Sequence, residues 1–363
     1  VYGAGVAKSI AKADAPILTT TTGFKNNVYG AMAFQQISQE ANAFGILPKY
    51  PWQHSGYRAI TADAGSAADG GITENSPLSD AVKPTVAEID ITVKEVSHNF
   101  IVSLRHDDLA KTGDDIFGSF DQARPIMAAK HAKAINQQLL VDADTLAGVN
   151  FESIDRVTIS SAASVALSYT AGDEDIYDID RSGASWADAV VSHNSGTDRT
   201  FSLDLMDDVL GTLEANGART NIILTGSDTK RRIISIARNS TRYAGSVESV
   251  KVQIGVNGVQ TDEGIDFGYK VATFEGIPIF TSQSVQKDTI SRIYLLDTTE
   301  QEGTGIPRLG IALLRPTSYY ESRADDGKGI VANDAFAHRG LFYTSGELVC
   351  TFFKAQGSIR DLK

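Results

Sequence analysis

The 363 residues carry a formal charge of −12, with 42% apolar and 21% charged positions, the composition of a globular protein with chain enough for about two domains. No apolar run of about 18 residues occurs, which excludes a membrane-spanning helix, and the single cysteine, Cys350, excludes a disulfide framework or a cysteine-based zinc module. The acidity excludes a protein that coats nucleic acid with its whole surface, and its skew to short carboxylates, 31 Asp against 14 Glu, suits solubility in concentrated salt.

Residues 1–39 hold Lys8, Lys12 and Lys25 against one acid, Asp14, with a breaker cluster at 19–23. They read as an extended, locally basic arm, and no apolar segment of secretory type opens it. From 56 to 104 the pattern is that of strands. Ile89, Ile91 and Val93 alternate with Asp90, Thr92 and Lys94, the period of a half-exposed strand. The expected partner is 57–62, and 63–80, rich in Gly, Ala, Ser and Asp, forms the tip of a long two-stranded arm. A lone ribbon is marginal in water, so this arm is expected to lie on something.

The strongest helix is expected over 125–146, opened by Pro125 and closed by Gly148, with Met127, His131, Ile135, Leu139 and Leu146 on one stripe. A turn or short helix at 114–120 leads into it. Residues 151–200 read as an irregular β-rich insertion with an acidic run from Asp173 to Asp180. A second helix is capped by Ser202, apolar at Leu205, Val209, Leu210 and Leu213, and closed by Asn216 and Gly217. After a buried strand at 221–225, a third helix over 228–239 turns Ile233, Ile234 and Ala237 inward and Lys230, Arg231, Arg232 and Arg238 outward. Strands then dominate, at 250–256, 269–274, 277–281, 293–297, 309–314 and 347–353, so the class is α+β.

Little here nominates catalysis. The six histidines lie far apart, and no H-E-x-x-H, nucleophile elbow or Walker A sequence occurs. Cys350 alternates into an apolar strand and reads as a small buried hydrophobe; His131 reads as a packing residue. Asp178, Asp180 and Ser182 set oxygens at alternate positions before Gly183, as calcium loops do. The twelfth position is Ala189, however, and Asp188 falls one residue short. A structural divalent cation is the one cofactor this pattern suggests, beside a plain solvated loop. The basic face of the third helix lacks the interleaved aromatics that stack bases, and reads as a solvated face or a subunit contact.

The order of parts resembles the HK97-fold major capsid proteins of tailed double-stranded DNA viruses of bacteria and archaea. On that resemblance 1–55 is an N-terminal arm, 56–104 the E-loop, and 105–148 the spine-helix region of the P-domain. Residues 149–200 are an insertion, 201–290 an axial-type α/β domain, and 291–363 strands returning to the P-domain. Phe274-Glu275-Gly276-Ile277-Pro278-Ile279-Phe280-Thr281-Ser282 looks like a turn often seen late in that family, and Gly346-Glu347-Leu348-Val349-Cys350-Thr351-Phe352-Phe353 like its last strand. The resemblance implies a structural protein rather than an enzyme, forming hexamers and pentamers of an icosahedral shell. It implies packaged double-stranded DNA inside, with Lys8, Lys12 and Lys25 turned towards it, accessory capsid or portal proteins as further partners, and no membrane. Its place would be the virion, after assembly in the host cytoplasm, and the Asp-rich surface adds a haloarchaeal, saline setting. The E-loop tip has no Lys for the subunit crosslink made by some relatives, and Val1 fits either loss of an initiator Met or proteolytic maturation. An encapsulin-like compartment enclosing protein, and an acidic enzyme with an unrecognised site, are the rival readings.

Overall fold

The computed structural model describes residues 17–18, 24–25, 42–62, 74, 83–112, 116–117, 119–146, 148–240, 273–301, 304–322 and 336–363. In chain order the elements begin with β1 (Ile17–Leu18), β2 (Phe24–Lys25), α1 (Asn42–Ile46), β3 (Lys49–Pro51), β4 (Gly56–Ala62), β5 (Thr85–Asp90) and β6 (Lys94–Ser103). Then come α2 (Leu104–Thr112), β7 (Ile116–Phe117), α3 (Phe120–Leu139), α4 (Ile154–Val157), α5 (Ser161–Ala166), β8 (Val190–Ser192) and α6 (Asp204–Ala215). The remainder is β9 (Ile222–Thr225), α7 (Ser227–Ser240), β10 (Thr273–Phe274), β11 (Ile277–Thr281), β12 (Ile293–Leu296), β13 (Leu309–Ser322), β14 (Ala337–Cys350) and β15 (Gly357–Ile359). The class is α+β, as expected. Two units divide the chain: one takes 1–39, 96–134 and 315–345, the other 40–95, 135–314 and 346–363.

In the first unit β1, β6, β14 and β13 lie side by side in that order, with Ile17 parallel to Ile101. Helix α3 sets Phe120, Ala123 and Met127 on Phe100, Val102 and Phe342. Phe100 stacks on Phe120 at 5.1 Å between centroids, and Tyr319 meets Phe342 at 4.8 Å. The helix starts before Pro125, correcting the expected boundary. Ser119 Oγ accepts from Gln122 N, and Gln122 Oε1 accepts from Ser119 N, both at 3.3 Å. This capping box is reinforced by the buried Asp107, whose Oδ1 accepts from Phe120 N at 2.7 Å. The helix stops at Leu139 rather than 146, where Asp142 caps a 3-10 turn at Ala143–Thr145. At 20 residues it is about 30 Å long. Where a turn or helix was expected at 114–120 the described residues contain β7, and α2, just upstream, was not expected.

In the second unit a mixed sheet runs β10-β11-β9-β12-β15-β8. Strand β9 is parallel to β11 and antiparallel to β12. One face of this sheet presents Ile223, Ile279, Ile293, Leu295 and Ile359 to Met206, Val209, Leu210 and Leu213 of α6 and Ile233 of α7. Strand β3 pairs in parallel with the start of β13, Lys49 opposite Ile311. Helices α6 and α7 and strands β9, β11 and β12 stand where the pattern puts them, although Ser202 does not cap α6, whose N-terminal neighbour Leu203 offers no side-chain bond.

The expected β-rich insertion is corrected. Over 151–200 the chain forms α4, α5, a 3-10 turn at Ser185–Ala187 and a single short strand, β8. Ser153 and Ser160 cap the two helices through Arg156 N and Ala163 N. The buried Arg181 closes α4 from the other end, donating to the carbonyls of Arg156 at 2.9 Å and Ile159 at 2.7 Å while its guanidinium lies over the Phe353 ring. These polar bonds add to an apolar contribution from the buried Phe151, Ile154, Val157, Ile159 and Ala163, which do not alternate as a strand would.

Candidate assembly elements

Strands β4 and β5 form a two-stranded sheet of their own, with Gly56 opposite Asp90, Ile60 opposite Val86, and a bulge between Ile60 and Ala62. The alternation that extended through Val93 in the sequence ends at Asp90 as strand. Along the ribbon Tyr57, Ala59 and Ala87 are half-buried, while Arg58 and Glu88 form an exposed cross-strand ion pair at 3.3 Å. Ile60 is 70% and Val86 50% exposed, so the ribbon presents an apolar cross-strand pair to solvent. An exposed pair of this kind gains its transfer free energy only when something covers it.

At the root of the ribbon, Ile91 N donates to Ser55 O at 2.6 Å, and Ile89 and Ile91 are buried. Asp90, Thr92 and Lys94 then line a cavity of about 110 Å³ with Glu152, Tyr177, Asp178 and Glu347. Glu347 Oε1 accepts from Glu152 N at 2.7 Å and from Leu348 N at 2.8 Å. Lys94 Nζ donates to Gly148 O at 2.5 Å. Burial, and after it the charge of Glu152, push the Glu347 carboxyl well above its ordinary value. Burial also raises Glu152, against the pull of Arg156 and Lys94. Glu347 was legible only as a charge inside an otherwise apolar strand; its partner Glu152, 195 residues away, carried no local signal.

The side chains expected as a cation loop, Asp178, Asp180, Ser182 and Asp188, have the following surroundings. Asp178 lines the cavity, Asp180 Oδ1 accepts from Ser182 N at 2.9 Å, and Asp188 Oδ1 accepts from Ser161 N at 2.8 Å. Asp180 and Asp188 thus accept from different backbone donors, and among the described residues no three His, Cys, Asp or Glu side chains are grouped to hold a metal. Lys8 and Lys12, the arm tip at 63–80 apart from Glu74, and the strand expected at 250–256 lie outside the described residues. Lys25 ends β2. Cys350 is buried as expected. His131 is a bonded packing residue, with Nε2 2.7 Å from Thr344 Oγ1 and Nδ1 2.9 Å from His98 Nδ1. No helix is long and apolar enough to cross a membrane among the described residues.

No protein-family model matches the chain, and no curated protein matches it. Solved shell subunits do. The capsid protein of cyanophage A-1(L) superposes with a TM-score of 0.63 at 15% identity, covering 95% of this chain and 98% of that one. The SrpI encapsulin of Synechococcus elongatus gives 0.54 at 12% identity, over 93% and 92%. A capsid subunit of a native GTA particle gives 0.52 at 14% identity, over 99% of each chain. The chain therefore has the HK97-like fold that its order of parts resembles, along nearly its whole length.

Proposed function

We propose that the chain is the major capsid protein of a tailed double-stranded DNA virus, assembling into hexamers and pentamers of an icosahedral shell. The β4–β5 ribbon carries this reading: among the described residues its two strands pair only with each other, and it exposes Ile60 and Val86, in a chain with the fold of phage capsid subunits. A ribbon so exposed is stabilised by lying across a neighbouring copy. The role is structural rather than enzymatic. Packaged DNA lies inside with Lys8, Lys12 and Lys25 facing it, portal and accessory proteins complete the particle, and assembly in the host cytoplasm precedes its place in the virion. The Asp-rich composition supports a saline setting. Electron microscopy of the purified chain should reveal closed megadalton shells or capsomer rings. A monomer or small oligomer at high concentration overturns the reading. Native particles whose absorbance shows protein without nucleic acid would instead support an encapsulin-like compartment, whose subunit shares the fold.

A further inference from the structure

Helices α6 and α7 carry opposite charges on their outward faces. Along α6, Asp204, Asp207, Asp208 and Glu214 are exposed, and the helix contains no basic residue. Their spacing places them on one stripe, where like charges three and four residues apart repel. On α7, Arg231 and Arg232 are exposed and Lys230 half-buried, while its acid Asp228 is turned aside to Lys287 and Ser291. Among the described residues none of these seven charges, four acidic and three basic, belongs to an ion pair.

Both helices contribute to one apolar cluster on the same sheet face. They stand at its two sides: α6 packs on β15 and β8, α7 on β11. Three strand spacings separate β11 from β15 in the sheet order, about 14 Å. Among the described residues no ion pair joins the acidic stripe of α6 to the basic residues of α7, and the exposed charges of both helices are open to a second copy.

We propose that the acidic stripe of α6 docks on the basic turn of α7, Lys230, Arg231 and Arg232, in the next copy of this chain, head to tail. Two different patches meeting in this way generate a ring when the rotation closes, and complementary charge fixes the register while opposing a flipped neighbour. This contact rests on the shell reading and specifies one interface within it.

The test is a charge exchange. Asp207→Lys with Asp208→Lys, and separately Arg231→Glu with Arg232→Glu, should each lower the assembled fraction in sedimentation about tenfold, and all four together should restore it. Assembly of either reversal at the level of the unaltered chain overturns the contact. So does a four-fold variant that stays defective while its circular dichroism and melting match the unaltered chain. If a reversal unfolds the subunit, Asp208→Asn and Arg232→Gln replace it: each must weaken assembly, and the two together must cost less than their sum. Additive or absent effects overturn the contact. Failure of the unaltered chain to assemble overturns the shell reading itself, a result distinct from both.

Discussion

Arg360 meets Asp155 in a fully buried two-point ion pair, with Nη2 3.0 Å from Oδ1 and Nη1 donating to Oδ2 at 3.1 Å. The same carboxylate accepts from Arg292 at 3.2 Å, Tyr294 Oη at 2.8 Å and Ala143 N at 3.0 Å. Burial alone would raise the Asp155 carboxyl, but Arg360 and Arg292 outweigh it and hold it below its ordinary value. Asp155→Ala leaves the buried Arg360 guanidinium without its carboxylate, while Arg292 keeps Asp142 at 2.9 Å and Asp288 at 3.0 Å, and should cost about 3–5 kcal/mol in denaturant unfolding of the unassembled subunit. The native contribution of this depressed carboxyl is present above pH 3.8 and is lost as pH falls towards the lowered folded value. A loss below about 1 kcal/mol would show that the network relaxes around the gap.

His131 makes the first unit sensitive to acid. Burial, then the neighbouring His98, lower its pKa from 6.5 to about 4, and burial, then the charge of Lys130, lower His98 as well. Phe342 stacks on the His131 ring and Thr344 bonds its far nitrogen. Between these two values the unfolded chain holds more protons than the folded one. Stability should therefore fall as pH drops from 6.5 towards 4, by at most about 1.4 kcal/mol per pH unit for one such group. His131→Gln keeps an amide for Thr344 and cannot titrate, so the denaturation midpoint should vary less with pH. An unchanged slope would assign the titration to another group.

The legible parts of the fold are those where local pattern and burial agree. The apolar runs of β9 and β12 and the stripes of α6 and α7 declare themselves, because one sheet face and one helix face bury them. Helix α2 does not, since its buried positions are His106 and Asp107. The S-x-x-Q box at Ser119 and Gln122 was readable but lay hidden behind Pro125, which suits a first helical position and stands inside the helix instead. In 151–200 the short helices depend on Arg181 and on Asp155, whose partners Arg292 and Arg360 lie 137 and 205 residues along the chain. No periodicity encodes such bonds. For the assembly elements, the ribbon was visible as alternation and the charge on α7 as composition, whereas the placement of α6 and α7 towards opposite edges of one sheet face needed the strand order.

Glu347 carries a cost at neutral pH. Its carboxyl is almost fully buried and its pKa is raised from 4.5 by burial first and by Glu152 second. The folded chain thus binds more protons than the unfolded one above pH 4.5, so stability declines as pH rises through the window up to the raised value. Glu347→Gln leaves an oxygen to accept from Glu152 N and Leu348 N while removing the charge. At pH 7.5 the variant should gain about 1–2 kcal/mol, and its unfolding should lose most of the pH dependence above pH 5. A destabilised variant would mean that the ionised form is held by more than these two donors and Lys94.

The ribbon separates folding from assembly. Ile60 and Val86 face each other across β4 and β5 with 70% and 50% of their surface exposed, so replacing them removes little from the subunit's own core. Ile60→Thr with Val86→Thr keeps β-branched side chains suited to a strand. Unfolding of the unassembled subunit should change by less than about 0.5 kcal/mol, the scale of an exposed substitution. In a shell the same pair would be covered by a neighbour, where burying each side chain contributes about 1.5–3 kcal/mol. The substitution should then raise the concentration needed for assembly about tenfold or more, since every 1.4 kcal/mol corresponds to tenfold. Light scattering against subunit concentration measures that threshold. An unchanged threshold would place the ribbon's exposed pair outside the subunit contacts, and a destabilised free subunit would place it in the core.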